Sequence, residues 1–141
     1  MTYGSVTSQY LEAEILSRPK EWLVPLIYEH LISALTRARV QIEKGDLEGK
    51  AVSLQKASDI VFELLIALDR ERGGELATQL ASVYNFLAAE ILTVGRTMDT
   101  AYLKRLTAIV TELHEAWVQA AEQVAPRGRS GGAPSLASLR A

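Results

Sequence analysis

His30 and His114 are the residues with the widest chemical reach in this chain. An imidazole binds metals and moves protons near neutral pH. Helical proteins that hold two metal ions pair such a histidine with a glutamate three residues earlier, so that both project from one face. Here Ile27 stands three before His30 and Thr111 three before His114, so the pairing is absent at both. His114 also follows directly on Leu113, a core position of the pattern described below, which predicts that it faces outward. Asp59, Glu63, Glu112 and Glu115 read as solvated helix charges rather than an acid/base pair. Cysteine is absent, which removes disulfides, thiolate zinc sites and cysteine nucleophiles. Gly73-Gly74 lies between helical stretches with no strand before it, unlike a phosphate loop, and no Gly-x-Ser-x-Gly elbow occurs. No metal and no cofactor are expected, and the chain is not expected to be an enzyme.

The bulk numbers point to a packed helical domain. The chain has 141 residues, of which 48% are apolar and only 6% aromatic. Leucine, alanine, valine and isoleucine carry the apolar content, a balance that favours helices over sheets. The net charge of −2 suggests no basic face for nucleic acid. No run approaches the length of apolar sequence that spans a bilayer, so no membrane insertion is expected. The first twenty residues lack a basic start followed by an apolar stretch, so no signal peptide is read and the cytoplasm is the expected compartment.

Four helical stretches position whatever chemistry there is. The first runs from about Lys20 to Lys44, where Gly45-Asp46 reads as a stop followed by a cap. The second runs from Leu47 to Arg70 and ends at Gly73-Gly74. The third runs from Glu75 to Val94 with Gly95 as its stop. The fourth runs from Asp99 to Val124, capped by Thr97 or Asp99, with Pro126 beyond its end. In the fourth, Leu103, Leu106, Val110, Leu113, Trp117, Ala120 and Val124 recur at steps of three and four, a bundle seam. Short connections force neighbours antiparallel. The expected fold is all-α: an antiparallel four-helix bundle over residues 20–124 with a short N-terminal helical cap. Pro25 means that the first helix starts there or is kinked; a kink, or a separate short turn around Glu21 to Val24, fits the pattern best. Residues 1–19 form the cap, with Val6 and Tyr10, and Leu11 and Ile15, each one helical turn apart. Residues 125–141 are rich in Gly, Pro, Ser and Ala, with three arginines and no acid, and read as a disordered tail.

The second helix carries more apolar surface than a bundle needs. Residues 60–68 read Ile-Val-Phe-Glu-Leu-Leu-Ile-Ala-Leu. If Val61, Leu64 and Leu68 pack inward, Ile60, Phe62, Leu65 and Ile66 need another cover. In the third helix Leu76, Leu80, Val83 and Leu87 form a core line. Ala77, Ala81, Tyr84 and Ala88 form a second, with small residues flanking one tyrosine to leave a shallow groove. Three readings fit this surplus: a central helix covered by the chain itself, self-association, or a groove for an apolar segment of another protein.

From Tyr28 onward the chain resembles the flagellar secretion chaperones of the FliS family. The resemblance runs through Tyr28-Glu29, Ser33-Ala34-Leu35, Arg37-Ala38-Arg39 and Glu43-Lys44-Gly45-Asp46. It continues in Lys56-Ala57 followed by Ser58-Asp59-Ile60-Val61, and in Leu68-Asp69, Gly73-Gly74-Glu75-Leu76-Ala77, Leu80, Val83-Tyr84 and Ala116-Trp117. It covers roughly residues 10–124. Departures are Ser17-Arg18-Pro19 where the family has Ser/Thr-Pro, an inserted residue near Pro25, Glu29-His30 in place of Asp-Gly, and Gly95 in place of an asparagine. The resemblance implies a cytosolic export chaperone that binds the disordered C-terminal segment of flagellin, prevents premature polymerisation and delivers it to the cytoplasmic domain of an export-gate membrane protein. On that reading the client lies on Ile60, Phe62, Leu65, Ile66, Leu80, Ala81, Tyr84 and Ala88. The N-terminal cap covers the groove and docks the gate through Tyr10, with Val6 and Leu11 as apolar companions. A monomer or weak dimer is implied. The alternative is a self-associating structural or regulatory bundle without a flagellin client.

Overall fold

The computed structural model describes the backbone of residues 22–128 and side chains as far as Val124. The expected cap over residues 1–19, with Val6, Tyr10 and Leu11, lies outside the described residues, as does the tail beyond Gly128. The described residues form an all-α four-helix bundle: α1 Leu23–Lys44, α2 Leu47–Ala67, α3 Arg70–Thr97 and α4 Thr100–Gly128.

Each joint has a local chemical cause. At the first, Gly45 takes the left-handed conformation (φ 77°), and its N–H donates to the Ile42 carbonyl at 3.1 Å while that of Asp46 donates to the Gln41 carbonyl at 2.8 Å. This pair of bonds closes a helix end on a glycine. The Asp46 carboxylate then accepts the Gly49 N–H at 2.9 Å and opens α2. The second joint falls at Leu68-Asp69, not at Gly73-Gly74. Leu68 is extended, and the Asp69 carboxylate accepts the Arg72 N–H at 3.0 Å. Gly74, at φ 55° and ψ −130°, instead kinks α3 after its first turn. The third joint also differs from the sequence pattern. α3 runs through Gly95 and stops at Met98, which is left-handed at φ 59° and donates to the Val94 carbonyl at 2.7 Å. Asp99 caps α4 by accepting the Tyr102 N–H at 3.0 Å.

Pro25 neither kinks α1 nor sits in a separate turn: α1 begins at Leu23, so Pro25 occupies its first turn. The N–H groups there have no intrahelical acceptor, and a proline loses nothing by lacking one.

Residues 29–112 make one compact unit. Its helices are antiparallel: polar ties join the end of α1 to the start of α2, the end of α3 to the start of α4, and the start of α2 to the end of α3. Ser53 meets Gln41 at 2.7 Å, and the Tyr102 hydroxyl donates to Glu90 at 2.6 Å. The Lys50 ammonium, at the start of α2, donates to the Gly95 carbonyl near the end of α3 at 3.1 Å. The core is Leu31, Ala34, Leu35 and Ala38 of α1; Leu54, Ala57, Ile60, Val61 and Leu64 of α2; Ala77, Leu80, Ala81, Tyr84, Leu87, Ile91 and Val94 of α3; and Leu103, Leu106 and Val110 of α4.

The stretch up to Tyr28, with Leu113 onward, makes a second unit. Trp22 packs with Val118 and Ala121, and the Tyr28 and Trp117 rings lie 6.5 Å apart at 50°. Here the expected seam shifts by one position. Val118 and Ala121 are buried, while Ala120 and Val124 are exposed. A strict seven-residue repeat drifts by about 20° per heptad on a straight helix, enough over three heptads to hand the seam to the next residue.

Candidate functional site

On α2, Val52, Gln55, Asp59, Phe62 and Ile66 follow one another at steps of three and four, so they share the outward face. The middle of that face is polar, with the Gln55 amide donating to Asp59 at 2.9 Å. The last part is apolar: Phe62 is 53% exposed and Ile66 78%. Their neighbours Val61 and Leu64 are buried, so the helix is rooted by one side and bare on the other. A central helix covered throughout by the chain itself does not describe these two side chains.

The remaining residues of the expected surface sit at different depths. Leu65 and Ala88 are half-buried; Ile60, Leu80, Ala81 and Tyr84 are buried in the core. The alanine-tyrosine line of α3, Ala77, Ala81 and Tyr84, is therefore part of the core stripe, which continues through Leu87, Ile91 and Val94. Leu76, expected in the core, is 58% exposed, and Val83 is half-buried. Carrying the α3 line forward to Ile91 and Val94 fixes its phase and would have turned Leu76 outward. Sequence reasoning also passed over Val52, Phe86 and Leu92, which are exposed, the last at 70%. Val52 was legible, since it lies on the same line as Phe62 and Ile66.

Polar chemistry is sparse. Thr36 and Arg39 of α1 face Lys104, Thr107, Ala108, Thr111 and Glu112 of α4 across an open groove of about 510 Å³. The Thr107 and Thr111 hydroxyls donate to the carbonyls of Leu103 and Thr107, and Arg39 pairs with Glu43 at 3.2 Å. The Tyr102 phenol is held above its usual pKa by its bond to Glu90, with burial adding to it. His114 is half-buried rather than outward-facing. Among the described residues no cluster of three or more His, Asp or Glu could hold a metal ion, and no helix is long and apolar enough to cross a membrane.

A family profile described as "Flagellar protein FliS" matches residues 3–124. The chain is 32% identical to the flagellar secretion chaperone FliS of Salmonella typhimurium over 110 residues, covering 77% of this chain and 82% of that one. It is 30% identical to the flagellar secretion chaperone FliSB of Pseudomonas aeruginosa, over 76% of this chain and 85% of that one. With the FliS of Escherichia coli it shares 28%, over 76% and 79%. A bundle rooted on one side of α2 and greasy on the other, matched over nearly its whole length by that profile, belongs to the FliS family of flagellar secretion chaperones, a family of chaperones rather than enzymes.

Proposed function

We propose that this chaperone holds the C-terminal segment of flagellin in the bacterial cytosol, keeps it from polymerising and hands it to the cytoplasmic domain of the export gate. The observation that carries the reading is the exposed pair Phe62 and Ile66, one turn apart on a helix whose other side is core. A client laid there as an amphipathic helix buries both. Leu65 and Ala88 widen the contact, and Ile60, Leu80, Ala81 and Tyr84 hold its floor. Val6, Tyr10 and Leu11 belong to the N-terminal cap and gate docking.

Covering the exposed parts of Phe62 and Ile66 is worth about 5–6 kcal/mol at roughly 25 cal/mol per Å², of which ordering the client takes back a part. Calorimetry with the C-terminal segment of flagellin from the same organism should therefore show binding with a negative heat-capacity change. The double variant Phe62→Ser, Ile66→Ser should weaken it by about thirtyfold or more. No binding by the unaltered protein sinks the reading. A concentration-dependent dimer in light scattering that the same variant abolishes, with no client binding, moves the surface to self-association.

A further inference from the structure

Beside the greasy face, on the flank of α2 toward α1, lies a pair of cations that no carboxylate among the described residues pairs with. Gln41 sets the register of α1 against α2. With its amide turned so that both ends are satisfied, the nitrogen donates to the carbonyls of Arg37 at 3.2 Å and Gly49 at 2.9 Å, and meets Ser53 Oγ at 2.7 Å. One turn back from Gln41 along α1 is Arg37; one turn on from Ser53 along α2 is Lys56. Because the helices are antiparallel, these two positions come side by side.

Neither cation is neutralised by a described residue. The Arg37 guanidinium donates to Ser33 Oγ at 3.4 Å, and among the described residues no carboxylate makes an ion pair with Arg37 or Lys56. The acids closest along the chain are engaged elsewhere, Glu43 with Arg39 and Asp59 with Gln55. Lys56 is half-buried, and burial together with the Arg37 charge pushes its ammonium below the usual lysine range. Like charges held together this way cost the fold stability.

We propose that Arg37 and Lys56 form a docking point for an acidic segment of a partner protein, one of whose carboxylates bridges the two cations. The planar guanidinium takes a carboxylate by two parallel bonds, and the ammonium supplies a third donor. The chain as a whole carries −2, so a long polyanion meets general repulsion, while a short acidic stretch needs only the local pair. Lys56 lies one residue round α2 from Gln55, toward α1, so the site is separate from the outward stripe of Phe62 and Ile66 and does not depend on the client reading.

The test is fluorescence anisotropy of a labelled oligo-glutamate peptide with the full chain. Binding should weaken by about tenfold between roughly 25 and 300 mM NaCl. Arg37→Gln and Lys56→Gln should each weaken it by about fivefold, and the exposed Lys104→Gln by less than about twofold. Lys56→Gln should also melt no lower than the unaltered protein, because it removes a repulsion. Absence of binding at low salt, equal losses with Lys104→Gln, or no loss with Arg37→Gln overturns the proposal. So does a lowered melting temperature for Lys56→Gln, which would make that lysine structural. Tighter peptide binding on changing Glu12 and Glu14 to Gln would assign the site to the chain's own N-terminal segment, and overturns it too.

Discussion

Tyr102 is gripped at its hydroxyl and over its ring. Glu90 accepts the phenolic proton's bond at 2.6 Å, and the Arg105 guanidinium lies 5.2 Å from the ring centroid. The bond to Glu90 favours the neutral phenol, so its folded pKa exceeds the unfolded value near 10. An acid raised in this way contributes stability that is present below the unfolded pKa and lost as pH climbs through it toward the folded one. Urea denaturation of the unaltered protein and Tyr102→Phe should therefore show a steady gap at neutral pH that narrows above about pH 10. A gap that stays constant to higher pH would contradict this. Lys56 carries the opposite sign. Its cost is present at neutral pH and fades as pH rises through its lowered pKa. Neither pairing was legible from the chain alone. Glu90 and Tyr102 are brought together only by the α3–α4 turn, and Arg37 and Lys56 only by the register that Gln41 sets.

Helix ends show which local signals the fold obeys. Gly45 obeys them fully, stopping α1 and leaving Asp46 to start α2. Gly95 does not: a glycine permits a left-handed stop but does not compel one, and α3 continues for another turn to reach Asp99, the next good cap. A Cβ at Gly95 would meet only Leu54 Cδ1, at an ordinary 3.6 Å. Gly95→Ala should thus stabilise the protein by about 0.5–1 kcal/mol from helix propensity. Met98→Gly should do the same by about 1 kcal/mol, relieving a left-handed methionine. At Gly74 the reverse holds, since its φ of 55° and ψ of −130° suit only glycine, and Gly74→Ala should destabilise. Chemical denaturation of the three variants checks all of these; loss of stability at Gly95→Ala would mean that the helix needs its flexibility there. The bundle itself was legible, because apolar periodicity and short joints leave few alternatives. The phase within α3 was legible only from its far end: Leu76 and Ala77 are adjacent, both apolar, and the distant Ile91 and Val94 decide which of them faces the core.

For the molecule as a whole, the division of α2 into a rooted and a bare side separates folding from function. Ile66→Ser should change stability by no more than about 0.5 kcal/mol, whereas Leu64→Ala, two residues away and buried, should cost about 2–5 kcal/mol. Thermal unfolding of the two variants measures the contrast, and similar losses would show that Ile66 is covered in solution. The surplus apolar content of residues 60–68 was legible. Its assignment was only half so, since Ile60 packs inward while Phe62 and Ile66 do not, and that choice belongs to the neighbouring helices.

All three corners of the bundle are two residues long, Gly45-Asp46, Leu68-Asp69 and Met98-Asp99. Such corners act like the teeth of a gear. Slipping one extra residue in after Gly45 would spin α2 by about 100°. Leu64 would swing toward water and the bare side would turn to a new compass bearing, so a guest arriving where it used to dock would find the wrong flank. Length changes in this lineage should accordingly gather at the two chain ends and spare the corners.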